Sequence, residues 1–221
     1  MPAVRKKPAA RGRPRDRTLP ARRREEILCA ATLLFAGKGY AAADLQGVAD
    51  RLGVAKGTLY RYFKSKRAVF LAAVDRGMRM LGVAIDESSQ HEADPLRRIR
   101  LSIEAYLRFF REYPELCELI IIERAEFRDR RTPTYFRHRE ANRTKWRAFY
   151  GALMQEGLLR TAPVDDLLGV IGNVVYGTMF TDFFTGSERT PEEQAAAITE
   201  VLFRGILTSE GERRWAASEH E

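Results

Sequence analysis

Lys56, Thr58, Tyr60, Arg61 and Tyr62 stand within seven consecutive residues. Ammonium, guanidinium and hydroxyl groups are the donors that grip phosphate oxygens and read base edges. A helical hairpin with an ordinary charged solvent face would show the same residue types, so the surrounding elements have to decide. Catalytic chemistry is poorly served by comparison. The three histidines, His91, His138 and His220, fall in a polar linker, a charged helix and the tail. His138 and Glu140 are two residues apart, and that spacing points them away from each other on a helix. The chain contains no H-E-x-x-H, C-x-x-C, G-x-S-x-G or phosphate loop. An enzyme is not expected, nor a metal site or any other cofactor.

The charge distribution favours a polyanion as partner. Residues 1–67 hold 17 Lys and Arg against 5 Asp and Glu, net +12, whereas residues 68–221 are net −4, within a total of +8. The first 24 residues alone contain ten basic side chains, one acid (Asp16) and four prolines. Such a composition buries too little apolar surface to offset its ordering entropy, so residues 1–21 read as a disordered basic arm. Within it, Arg11-Gly12-Arg13-Pro14-Arg15 resembles the core of an AT-hook, in which arginines enter a narrow minor groove. The alternative is a solvated tail that only screens phosphates. Cys29 and Cys117 sit in apolar, helix-like runs, which argues for free thiols in a reducing, cytoplasmic compartment. No apolar signal segment opens the chain, and the longest uncharged stretch, 167–181, falls short of the ~20 residues of a membrane span. A membrane is therefore not an expected partner.

After the arm the pattern is helical throughout. Ile27, Leu28, Ala31, Leu34 and Phe35 mark one face of a first helix ending at Gly37 or Gly39. A second follows Asp44 and stops at Gly53, and a third runs from Lys56 to Phe63. Ser65 caps a fourth to about Ile85, and residues 87–94 form a polar linker. Pro95 and Pro114 open the fifth and sixth. A seventh spans 134–156, an eighth 164–185, and a ninth, capped by Thr190, 191–208, leaving 209–221 as a tail. The expected fold class is all-α with about nine helices. The first three helices would occupy 22–66, and the remaining helices would fill 67–208.

Two short helices joined by three residues around Gly53 make a helix-turn-helix. Ala49 is small where the helices cross, Gly53 can take positive φ, and Val54 and Leu59 supply the apolar wedge. With Gly39-Tyr40 and the run G-V-A-K-G-T-L-Y-R-Y-F-K-S-K from Gly53 to Lys66, the segment 22–72 resembles the tetracycline-repressor (TetR) family of bacterial transcription regulators. The resemblance implies a homodimer with an N-terminal three-helix DNA-binding domain at 22–66 and a C-terminal helical regulatory and dimerisation domain at 67–208 that holds a small-molecule pocket. It places Lys56, Gly57, Thr58, Tyr60 and Tyr62 on the recognition helix, Gln46 near the start of the second helix, and Lys66 as a phosphate-binding lysine. Three positions depart from the family pattern. Ala43-Asp44 stands where a Thr-Thr pair is usual, Ala55 replaces a capping Ser, and Arg67 replaces a Glu.

Beyond residue 72 the resemblance is one of architecture. Gly169, Asn173 and Gly177 recur at i, i+4, i+8, a small-residue strip that admits another helix. The family implies that this other helix belongs to the partner subunit. Tyr106, Phe110, Trp146, Phe149, Tyr150, Tyr176 and Met179 are candidates for a pocket lining, although a compact domain needs such stripes for its core in any case. The effector expected there is small and apolar or aromatic. The charge run Glu123 to Arg131 reads as a solvated, ion-paired surface. Together these features describe a ligand-responsive homodimeric repressor binding a palindromic operator in double-stranded DNA through the helix 56–63. The rival reading is a DNA-architectural protein without an effector.

Overall fold

The computed structural model describes residues 19–205. They form ten helices: α1 (Leu19–Ala42), α2 (Leu45–Leu52), α3 (Lys56–Tyr62), α4 (Lys66–Ser89), α5 (Pro95–Glu112), α6 (Pro114–Glu126), α7 (Thr134–Ala141), α8 (Arg143–Gln155), α9 (Val164–Thr185) and α10 (Pro191–Arg204). No strand occurs among the described residues. Residues 19–21, assigned to the arm from composition, already belong to α1, while Arg11, Arg13 and Arg15 lie outside the described residues, as does the tail.

Local signals set most of the boundaries. Asp44 caps α2 by accepting from the Gln46 amide at 2.9 Å, Ser65 caps α4 and Asp94 caps α5 ahead of Pro95. Thr190 and Glu193 close a reciprocal capping box at the start of α10. Gly53 adopts φ 63°, ψ 36°, and the Val54 amide reaches back to the Ala49 carbonyl at 3.0 Å. This is the Schellman arrangement, which requires a left-handed residue after the helix. The first helix breaks at Gly39, with φ 72° and ψ 168°.

One expected helix is two. The segment 134–156 divides at Asn142, whose φ of −87° and ψ of −7° depart from ideal helix values without leaving the right-handed region. α9 is long and apolar enough to cross a membrane, which corrects the length expectation drawn from its uncharged stretch. In this fold it packs against α5, α6 and α8, and its Asp182 accepts from the Gln194 side chain of α10.

Two cores sit along α4. The first gathers Ile27, Leu28 and Phe35 of α1, Leu45, Val48 and Ala49 of α2, Leu59 of α3, and Phe70 and Val74 of α4. It also takes Leu119, Ile122 and Phe127 from the end of α6, well outside 22–66. The second core lies around α5 and takes in Met78 and Leu81 from the far half of α4. Gly77 stands between them. A methyl group there would lie 2.5 Å from a Leu116 methyl, so α4 and α6 approach closely only because the side chain is missing.

The charge run from the last turn of α6 onward is not all solvated, contrary to expectation. Glu123 is only 1% exposed. One of its carboxylate oxygens accepts from Arg130, from the Thr134 amide at 2.9 Å and from the Thr134 hydroxyl at 2.8 Å. Arg124, Glu126 and Arg128 remain exposed, as expected of a surface. Cys117 is buried, which pushes its thiol up to about 12, and Cys29 is exposed; both are free.

Candidate nucleic-acid interface and effector cavity

α3 turns Leu59 into the first core and leaves Gly57, Tyr60 and Arg61 exposed, with Lys56, Thr58 and Tyr62 half-buried along its flanks. No side chain caps its N-terminus, because Ala55 offers no oxygen. The Lys56 ammonium instead reaches back to Asp44 at 2.6 Å, tying α3 to the N-cap of α2. That hydrogen bond, with the one from the Gln46 amide, lowers the Asp44 carboxyl from its ordinary range. Asp44 thus offsets the Lys56 charge on the face where phosphates would lie. Gln46 is exposed, and its amide nitrogen donates to Asp50 at 2.7 Å. Lys66 donates to the Ala41 carbonyl at 3.0 Å and lies 4.7 Å from the Tyr40 ring centre, at the junction of α1 and α4. Lys56 is thereby held beside the start of α2, where Gln46 lies, and Lys66 at the end of α1. Lys56 and Gln46 are held by intramolecular partners that DNA would have to displace or share.

A cavity of about 570 Å³ opens in the second core, between α4, α5, α7, α8 and α9. Three of the seven residues chosen from sequence line it: Tyr106, Trp146 and Tyr150. The other four form the layer behind. Phe110 packs 5.1 Å from the Tyr106 ring, Phe149 lies against Trp146, Tyr176 packs tilted at 4.9 Å against Tyr135, and the Met179 sulfur faces the Tyr106 hydroxyl. Sequence reasoning missed Tyr135, whose hydroxyl meets that of Tyr106 at 2.9 Å. It lies in a highly charged helix, and nothing in the local pattern sets it apart. Burial raises both phenols, Tyr135 to about 12, so both stay protonated at neutral pH. The walls are otherwise aliphatic, with Leu81, Ile85, Ile99, Ile103 and Val175 among them. The mouth is not. His138, Arg139, Glu140, Arg143 and Asp165 gather there from α7, α8 and α9, a charged cluster that the sequence stripes did not reveal.

The cavity and the helix-turn-helix share α4. Its first turns carry Val69 and Phe70 into the N-terminal core, while Met78, Leu81, Gly82 and Ile85 face the cavity. His138, at the mouth, also holds Asp75 of α4 at 2.8 Å.

The stripe on α9 presents itself differently from a packed helix contact. Gly177 and Asn173 are exposed, and no atom lies within 4 Å of where a Gly169 or Gly177 side chain would begin. Around them Val170, Val174 and Phe184 are exposed, the last to 68%, and Val201 and Phe203 of α10 are exposed too. Part of the strip is occupied from within the chain, since Arg139 donates to Asn173 at 3.2 Å and to the Gly169 carbonyl at 3.3 Å.

Residues 27–73, which include both helices of the turn, match the family described as bacterial regulatory proteins, tetR family. The match is confined to this segment, where the chain is similar to that family. Among similar proteins, the HTH-type transcriptional activator FasR of Mycolicibacterium smegmatis is 35% identical over 104 residues, 47% of this chain and 48% of its own length. The HTH-type transcriptional repressor KstR of Mycobacterium tuberculosis is 35% identical over 96 residues, 43% of this chain and 44% of its own. Each match thus spans about half the relative's length. The fold agrees over a longer stretch. The transcriptional regulator FadR from Bacillus subtilis, solved in complex with stearoyl-CoA, covers 83% of this chain and 99% of its own, with a TM-score of 0.69 at 18% identity.

Proposed function

We propose that the chain is a ligand-responsive homodimeric repressor that acts in the cytoplasm and binds a palindromic operator through α3. The observation that carries this reading is the double duty of α4, rooted in the helix-turn-helix core at one end and walling the cavity at the other. A small effector in the cavity bears on α4 without touching DNA. If it binds more tightly to a dimer whose two recognition helices no longer match the half-site spacing, DNA affinity falls by linkage. The uncovered apolar face of α9 and α10 supports the dimer, since an isologous interface buries the same patch twice. The liganded state of the FadR structure supports a small-molecule occupant in this architecture.

The test is genome-wide footprinting with the purified full-length protein. The reading expects a few palindromic sites whose half-sites lie about one helical turn, or a multiple, apart. It expects neighbouring genes to be derepressed when the protein is deleted. Diffuse A·T-rich coverage would instead assign the architectural role.

A further inference from the structure

At the mouth of the cavity one guanidinium has no carboxylate of its own among the described residues. Arg143 pairs with Glu140 at 3.2 Å and with Asp165 at 3.0 Å, and Arg147 pairs with Asp165 as well. Two cations and two carboxylates thereby satisfy one another. Arg139 is left over. Among the described residues no carboxylate pairs with it, and its only acceptors are two neutral oxygens at 3.2 and 3.3 Å. A guanidinium carries five N–H donors in a fixed fork suited to a carboxylate. This one is half-buried at the edge of an aliphatic cavity and lies flat on α9 where Gly172 has no side chain. A methyl group at 172 would stand 2.5 Å from its Nη2. Its charge also bears on the Tyr135 phenol, on the wall of the cavity.

We infer that the cavity takes an amphiphilic anion, an apolar body among the aliphatic walls with a carboxylate-type head on Arg139. This sharpens the proposed apolar effector and rests on the reading of the cavity as its site. A cavity of this size suits one small ligand, and one charged anchor at an otherwise apolar site fixes the ligand's orientation. His138 at the mouth is committed to Asp75. Arg139 is therefore the cation available for a head group.

Three probes share one apolar body and differ only in the head: dodecanoate, dodecanol and dodecyltrimethylammonium. Their binding to the full-length protein is followed by calorimetry and by the fluorescence of Trp146, which lines the cavity. Dodecanoate is expected to bind at least about tenfold more tightly than dodecanol (roughly 1.4 kcal/mol), with the ammonium weakest. In Arg139→Gln the carboxylate advantage is expected to disappear while dodecanol binding is unchanged. Arg139→Lys, which keeps the charge but not the fork, is expected to be intermediate and serves if the glutamine variant does not fold. Equal binding of dodecanoate and dodecanol by the unaltered protein would overturn the head-group inference and leave the effector cavity standing. A carboxylate preference that survives in Arg139→Gln would overturn the assignment to Arg139. Failure of all three probes to bind would overturn both the inference and the cavity reading beneath it.

Discussion

Phe184 offers the sharpest test of the dimer. It stands on α9 with 68% of its surface exposed, its ring centre 5.8 and 5.4 Å from those of Phe180 and Phe183. Burying a large apolar side chain completely is worth ~1.5–3 kcal/mol, so burying the remaining two thirds is worth roughly 1–2 kcal/mol. In a two-fold dimer every substitution occurs twice. Phe184→Asp should therefore weaken dimerisation by roughly 2–4 kcal/mol, about 30- to 700-fold, before any cost of desolvating the new charge. Sedimentation velocity across a concentration series measures the shift, and circular dichroism checks that helicity is retained. Operator binding should weaken alongside, because a monomer engages one half-site only. An unaltered protein that sediments as a monomer at micromolar concentration, or a variant that dimerises as tightly as its parent, would refute this interface.

Other expectations concern stability, pH and DNA. Arg130→Met leaves the Glu123 carboxylate buried without its cation, which costs about 3–5 kcal/mol. At ~2–4 °C per kcal/mol for a chain of this length, the melting temperature should fall by roughly 6–20 °C; a change under about 2 °C would contradict the geometry. Adding Glu123→Leu to that variant should restore part of the stability. Burial raises the phenols of Tyr106, Tyr135 and Tyr150, while the unfolded chain titrates near 10. Their stabilising contribution is thus whole below about pH 10 and is lost as pH rises through the folded values. In an alkaline ultraviolet titration these three should ionise only as helicity collapses; normal ionisation with intact helices would disprove it. Arg61→Ala should weaken operator binding, and deletion of residues 2–18 should flatten its salt dependence by about 0.9 in log–log slope for each phosphate the arm no longer neutralises. An unchanged slope would remove the arm from the interface.

What was legible in the sequence was what is decided within a turn or two of chain. Asp44, Gly53, Ser65 and Thr190 each fix a helix end through a bond to a neighbour two to five residues away, and Pro95 does so by its fixed φ at the first helical position, so residue type and spacing are enough. The break at Asn142 gave no such signal. No glycine or proline stands there, and the backbone departs only modestly from helix values within the right-handed region. The cavity was half legible for a related reason. Helical stripes name the inward residues but not which of them meet a void, so Tyr106 and Trp146 line it while Phe110 and Met179 pack behind. Glu123 was misread because its burial depends on Thr134 and Arg130 folding back over it, an arrangement that periodicity within α6 does not contain.

That folded-back corner also joins the two cores. Phe127, just after α6, packs 4.8 Å from Tyr40 and 5.2 Å from Phe70. Arg67 lies over the Phe127 ring and pairs with Asp129 at 2.5 Å. Thr132, three residues further on, already lines the cavity, and Glu123 clamps the start of α7 at Thr134. α7 therefore holds α4 at two places, through the 127–134 corner near Phe70 and through His138 at Asp75. Five residues of helix separate these points, about 7 Å along the axis. A helix gripped twice over that distance on neighbouring turns does not bend between the grips. Displacement of α7 by a ligand at the cavity mouth would be passed to α4 as a rigid-body shift. Since Val69 and Phe70 are buried in the helix-turn-helix core, such a shift would carry α3 with it.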